Sequence, residues 1–253
     1  MHRLAGAIAI VTGAGSGQGR AVAEAYAAQG AKVMVVDIDV ESAEQTAKTI
    51  QGAGGTASFH RSDVSIESDW ASTLGVTRQT FGGVDVLYNN AALFSPDDGP
   101  VTELSVEVWD RVQAVNVRSV FLGCKHAVPM MRERGGGSII NVASIRAHLG
   151  TLRAQDAYAA SKGAVVALTR SLAIHLAVDR IRVNAISPGT ILTPMAPLAD
   201  EVVAAQRLAR YPLGRFGETA DITGAALYFA SSDSLWTTGT ELLVDGGTSA
   251  FYV

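Results

Sequence analysis

Short runs of continuous apolar, often β-branched residues recur along the chain. AIAIVT (7–12), KVMVVD (32–37), ASFHRSDV (57–64), DVLYNNAA (85–92), SIINVAS (138–144), IRVNAISPG (181–189) and TELLVDGG (240–247) each predict a strand. Such near-continuous Val, Ile and Ala content belongs to strands covered on both faces, as in a parallel sheet. Between them the apolar positions fall at helical spacing. GRAVAEAYAAQG closes on Gly30 as a stop, and ESAEQTAKTIQGAGG ends in glycines. Residues 106–134 predict one long helix, and AYAASKGAVVALTRSLAIHLAV predicts another. Strands alternating with helices imply βαβ units, hence a doubly wound α/β fold with about seven parallel strands and helices on both faces. No linker or internal repeat interrupts the pattern, so residues 1–253 are expected to form one domain. The stretch 193–217 departs from it. It follows a Pro-Gly turn, holds Pro194, Pro197 and Pro212, and carries EVVAAQRLARY as a possible amphipathic helix. That is the profile of a lid over a site.

Composition narrows the class. With 253 residues, 48% hydrophobic and 17% charged, the chain is a packed globular protein. Net charge is -4 and no basic run occurs, which argues against a nucleic-acid partner. No stretch approaches the roughly 20 apolar residues of a membrane span. The short basic-then-apolar start breaks into glycines within a strand's length, unlike a signal peptide. A cytoplasmic protein with no membrane partner is expected. The lone Cys124 lies in an apolar helical context and reads as a packing residue.

The first strand runs into VTGAGSGQGR, with glycines at Gly13, Gly15, Gly17 and Gly19. Glycines allow a tight turn and close backbone approach to a pyrophosphate, and the following helix aims free N–H groups at that anion. Asp37 ends the second strand about twenty residues on, where a carboxylate can bind the adenosine ribose hydroxyls and repel a 2′-phosphate. Neither Ser16 nor Ile38 adds a cation, so the pattern points to a Rossmann-type fold binding NAD rather than NADP.

The run Thr12-Gly13-x-x-x-Gly17-x-Gly19 resembles the short-chain dehydrogenase/reductase family, and further matches follow along almost the whole chain. Asp63-Val64 is similar to the family's adenine-contacting pair. Asn89–Ala92 resembles its Asn-Asn-Ala-Gly motif, with Ala92 in place of glycine. Asn116 falls at the active-site asparagine, while Ser144, Tyr158 and Lys162 match the serine and the Tyr-x-x-x-Lys pair. Pro188-Gly189 followed by Thr193 resembles the nicotinamide-holding motif, and VDGG (244–247) the usual final strand. The resemblance implies a nicotinamide cofactor held by Gly13, Ser16, Gly17, Gln18, Gly19, Asp37, Ile38, Asp63, Val64, Asn90, Tyr158, Lys162, Pro188, Gly189, Ile191 and Thr193. It also implies a water held with help from Asn116, and homo-oligomers, usually tetramers. Two departures stand out. Ala92 adds a methyl, which predicts a slightly looser turn. The gap from Ser144 to Tyr158 is one residue longer than usual.

Residue chemistry agrees with these roles. Tyr158 and Lys162 are four apart on one helix face. A free phenol titrates near about 10, so a nearby cation is needed to favour the phenolate at neutral pH. Tyr158 can then take the proton of a substrate alcohol as hydride leaves for the nicotinamide, with Ser144 orienting the substrate oxygen. His60, His126 and His175 show no metal-ligand spacing, and no metal is expected. Arg146 lies two residues after Ser144, where the family often has a small residue, and His148 and Arg153 follow in the same loop; together they are expected to choose the substrate. Arginines bind carboxylate, phosphate or sulfonate in bidentate fashion, which suggests a polar or anionic substrate; solvation or pairing with Asp156 or Asp200 is the alternative. Phe94 and Met195 would add apolar wall. The favoured reading is an NAD-dependent dehydrogenase of a secondary alcohol, sugar or polyol. An NADPH-linked carbonyl reductase and a silent dinucleotide-binding regulator are the alternatives. The helices 106–134 and 158–178 are the expected subunit contacts.

Overall fold

The structure is a computed structural model that describes residues 2–151, 153–193 and 201–251. Its strands are β1 (Ile8–Thr12), β2 (Lys32–Asp37), β3 (Thr56–Arg61), β4 (Val86–Asn89), β5 (Gly137–Val142), β6 (Ile181–Pro188) and β7 (Glu241–Val244). They form one sheet in the order β3-β2-β1-β4-β5-β6-β7, and every pairing is parallel. The described α-helices are α1 (Gly17–Ala28), α2 (Val40–Gly52), α3 (Glu67–Phe81), α4 (Val106–Gln113), α5 (Ser119–Glu133), α6 (Asp156–Leu176), α7 (Glu201–Leu208) and α8 (Thr219–Ala230). This is the doubly wound Rossmann-type sheet that the alternating pattern predicts.

All five residues of β1 are buried, because both faces of the sheet are covered. Ala9 and Val11 pack toward α1, α2 and α8, whereas Ile10 packs toward α3, α5 and α6. Each fully buried Val or Ile contributes about 1.5–3 kcal/mol. Cys124 lies in the second of these cores, where burial pushes its thiol up to about 12, as suits a packing residue.

The chain leaves β1 for β2 and β3, then crosses back to β4 on the other side of β1. That reversal opens a crevice at the carboxyl ends of the strands. β3 and β4 end sooner than their apolar runs, so Ser62–Val64 and Asn90–Ala92 leave the sheet and border the crevice.

Three features differ from the sequence pattern. Residues 106–134 are not one regular helix, since a π-helical turn, Ala114–Arg118, separates α4 from α5. Helices α3 and α8 were not apparent in the periodicity. Of the suspected lid, α7 is described, while Pro194, Met195, Pro197 and Asp200 lie outside the described residues. No described helix is long and apolar enough to cross a membrane.

Candidate active site

The glycine turn is built to exclude side chains. Gly13 and Gly17 have φ of 61° and 54°, in the left-handed region that favours glycine. A Cβ on Gly19 would stand 2.1 Å from the Gly13 carbonyl oxygen. Asn90 clamps the turn from β4, donating through Nδ2 to the carbonyls of Thr12 at 3.0 Å and Gly13 at 3.2 Å. Asp37 holds the other side, accepting from the backbone N–H of Gly15 at 2.8 Å and of Asp39 at 3.1 Å. Ser16 places no side-chain cap on α1, so the helix N-terminus is left open toward the crevice. Thr193 meets the turn from the opposite side, its methyl 3.4 Å from where a Gly17 Cβ would be. Ala92 has an ordinary negative φ, so its methyl strains nothing.

These parts border a cavity of about 730 Å³. At one end lie Asp37 and Ile38 with Asp63 and Val64. Gly13, Ser16, Gly17, Gln18 and Asn90 line its middle, with Pro188, Gly189, Ile191 and Thr193 opposite. Ser144, Tyr158 and Lys162 lie at the other end, with Phe94, Arg146 and Arg153. Gly19 and Asn116 do not line the cavity: Gly19 lies against the Gly13 carbonyl, and Asn116 is bonded to Leu93 of the wall. Two buried oxygens on the cavity wall, Gln18 Oε1 and Ser62 Oγ, have no protein partner. Orphaned polar atoms beside a side-chain-free cradle fit a bound polar dinucleotide.

Ser144, Tyr158 and Lys162 are held by different elements. Ser144 follows β5 in extended conformation, and its hydroxyl accepts from the Arg146 N–H at 3.2 Å. Tyr158 and Lys162 share the first turns of α6. Lys162 is 2% exposed, and its Nζ donates to the Val142 carbonyl at 2.8 Å and lies 5.5 Å from the Tyr158 ring centre. Burial pulls its ammonium down to about 8. Burial also raises the Tyr158 phenol, against the pull of the Ser144 hydroxyl and the positive Arg146. Thus Arg146, rather than the lysine named from spacing, is the cation whose charge favours the phenolate. Phe94 packs edge-on against the Tyr158 ring at 5.1 Å.

The α6 N-terminus is capped from outside. Its N-cap, Gln155, makes no side-chain cap; instead the buried Asp98 accepts from the N–H groups of Ala157 at 3.1 Å and Tyr158 at 2.9 Å. Asn116 lies within the π-helical turn. Its side chain accepts from the Leu93 N–H at 2.7 Å and donates to the Leu93 carbonyl and to Ser161 Oγ, both at 3.0 Å. Ser161 in turn donates to the Tyr158 carbonyl at 2.7 Å. The asparagine side chain therefore ties the wall of the site to α6.

Residues 13–249 match the family described as enoyl-(acyl carrier protein) reductase. A 2,5-dichloro-2,5-cyclohexadiene-1,4-diol dehydrogenase of Sphingobium indicum is 37% identical over 98% of this chain and 98% of its own. The chain belongs to the short-chain dehydrogenase/reductase family. A 2-(R)-hydroxypropyl-CoM dehydrogenase of Xanthobacter autotrophicus is 39% identical over 96% of this chain and 98% of its own. The solved structure of a 7α-hydroxysteroid dehydrogenase complexed with NADH and 7-oxo glycochenodeoxycholic acid superposes with a TM-score of 0.92. It is 34% identical and covers 97% of this chain and 95% of its own. Short-chain dehydrogenase/reductases are oxidoreductases that bind a nicotinamide dinucleotide, so this chain is a nucleotide-binding oxidoreductase.

In this short-chain dehydrogenase/reductase the loop after Ser144 divides. Arg146 turns inward, donating to Thr151 Oγ1 and, at 2.8 Å, to Gln155 Oε1. His148 does not join it. Its Nε2 meets Glu241 of β7 at 2.7 Å, so the expectation that His148 helps read the substrate is corrected: the buried carboxylate draws it away. Asp156 does not pair with the arginines either, and accepts from the Val101 N–H at 2.9 Å. Sequence reasoning missed Ser62, Asp98, Gln155 and Arg207. Arg207 falls within the suspected amphipathic helix, but only the fold shows that it lines the cavity.

Proposed function

We propose that the chain is an NAD-dependent oxidoreductase that interconverts a secondary alcohol and its carbonyl, acting on a small polar hydroxy compound. The observation that carries this reading is the convergence of Ser144, Tyr158 and Lys162 on a cavity whose far end is closed by Asp37. When bound, oxidised NAD supplies the hydride acceptor. The turn at Gly13–Gly19 and the open end of α1 hold the pyrophosphate, Asp37 the adenosine ribose hydroxyls, and Asp63 and Val64 the adenine. Pro188, Gly189, Ile191 and Thr193 hold the nicotinamide, and Lys162 its ribose. Ser144 Oγ hydrogen-bonds the substrate oxygen and Tyr158 Oη takes its proton. Asn116 helps hold the site's water through its main chain, because its side chain is engaged by Leu93 and Ser161. The Asp37 carboxylate supports NAD over NADP, and Arg20, which directly follows the glycine turn, is tied to the Gly15 carbonyl and Thr46 Oγ1.

Residues 1–253 act as one catalytic domain, with Phe94 adding apolar wall at the substrate end. Exposed Trp109 and Phe121, on α4 and α5, support assembly into a homo-oligomer. The test is a panel of secondary alcohols and polyols with NAD and NADP, following reduced nicotinamide by absorbance. Wild type should favour NAD, Asp37→Ala should narrow that preference at least tenfold, and Tyr158→Phe should abolish turnover. NADH binding without turnover of any alcohol or ketone would sink the reading.

A further inference from the structure

Positive charge gathers at the substrate end of the cavity. Arg146, Arg153 and Arg207 all line it, from the loop after β5, the segment before α6 and the last turns of α7. Among the described residues, no acid lies within ion-pair distance of any of the three. Surface arginines elsewhere find acids, as Arg215 does with Asp221 and Arg132 with Asp179. Among the described residues, the Arg146 guanidinium is bonded only to the neutral Thr151 and Gln155. The acids on the described cavity wall are Asp37, which ends β2, and Asp63, which follows β3. Strand order separates β2 from β5 by β1 and β4, a distance of roughly 14 Å at the usual strand spacing. Neither acid can neutralise the arginines.

The three side chains also feel one another. Burial, and then the like charges of Arg207 and Arg153, weaken the hold of Arg146 on its proton. A chain of net charge -4 thus gathers guanidinium groups that have no acid partner among the described residues around one cavity, beside its reacting groups. All three are arginine rather than lysine, the residue suited to forked contact with a planar or tetrahedral oxyanion.

We infer that this end of the cavity is an anion seat, and that the hydroxy substrate carries a carboxylate, phosphate or sulfonate beyond its reacting carbon, bound by Arg153 and Arg207. This rests on the alcohol–carbonyl reading above and names the substrate class of the same site. Arg207 is the specificity residue that sequence spacing does not suggest, because it is more than fifty positions from Ser144 in the chain. Arg146 is shared between the anion and the Tyr158 phenol, so it is not a clean probe.

The test compares kcat/KM for 4-hydroxypentanoate, 2-hydroxypropylphosphonate and 2-hydroxypropanesulfonate, each beside its neutral amide or ester. Wild type should prefer at least one anion tenfold or more. Arg207→Gln and Arg153→Gln should each lose about 10- to 100-fold on it and stay within about twofold on its neutral counterpart. Calorimetric titration of butyrate, inorganic phosphate and propanesulfonate into NADH-loaded wild type and both variants gives a readout free of turnover. Equal rates on charged and neutral members, or equal losses in the variants, would overturn the seat while leaving the alcohol reading intact. Anion binding that the variants abolish, with no alcohol oxidised, would sustain the seat and remove that reading. Neither binding nor turnover would remove both.

Discussion

Replacing Lys162 with methionine should make the cofactor-free protein more stable and inactive. The lysine stem is enclosed and its ammonium is pulled from 10.5 to about 8 by burial. At 1.36 kcal/mol per pH unit, that difference penalises the charged form in the folded state by about 3 kcal/mol. Methionine has similar length and removes the charge. It also leaves the Val142 carbonyl, now bonded at 2.8 Å, without its donor, which costs about 1 kcal/mol. The net expectation at neutral pH is about 2 kcal/mol in favour of K162M. The gap should move with pH. Between about 8 and 10.5 the unfolded chain keeps a proton that the native state has lost, so wild-type stability rises with pH across that window. Below about 8 the penalty is present in full. Urea unfolding of both proteins, without NAD, at neutral pH and near the top of the window measures the gap as a difference in ΔG. A variant less stable than wild type by more than about 1 kcal/mol at neutral pH, or a gap that does not narrow as pH rises, would refute the reasoning. Such an outcome would mean that Lys162 is better solvated or paired than its surroundings indicate.

Three further outcomes are expected. Gly19→Ala puts a methyl carbon 2.1 Å from the Gly13 carbonyl oxygen, so the turn must open at a cost of about 1–3 kcal/mol; NADH affinity by fluorescence titration should fall at least tenfold, and unchanged affinity would contradict the cradle. Arg146→Gln removes a positive charge that lowers the Tyr158 phenol, so the rising limb of alcohol oxidation against pH should move to higher pH; a limb that stays put or moves down would show that the charge is not felt. Asp98→Ala strips the cap from α6 and should cost about 1–2 kcal/mol in thermal unfolding. The same variant should slow turnover through Tyr158 more than it weakens NADH binding.

The inner strands could be read from sequence because they are buried on both faces and so are written as unbroken apolar runs, whereas the edge strands β3 and β7 are partly exposed. The helices were less uniform. The buried face of α3 includes Thr73 and Thr77 beside Trp70 and Leu74, which blurs the apolar stripe. Helix α8, TADITGAALYFA, is small or apolar almost all round, so no stripe stands out. Site residues that do local work at recognisable spacing, Gly13 to Gly19 and Tyr158 with Lys162, were visible. Those that act across the fold were not. Asp98 caps a helix nearly sixty positions away, and nothing near it in the chain announces that partner. Arg207 reaches the cavity only because α7 is laid beside it. His148 looked like a substrate contact from its neighbours, and long-range pairing with Glu241 decided otherwise.

The π-helical turn at Ala114–Arg118 has a consequence for how this chain tolerates change in length. A π turn holds one residue more than an α turn. Removing one residue there would let α4 and α5 fuse into a regular helix, and everything before the cut would rotate by about 100°. Gln113 would swing away from the Ala157 carbonyl, which its Nε2 now meets at 3.0 Å. Asn116 would lose its grip on Leu93 and Ser161 together. A one-residue deletion, harmless in most exposed loops, would here act as a rotary misalignment of the catalytic wall. Point substitutions on the outer face of the same turn should be absorbed.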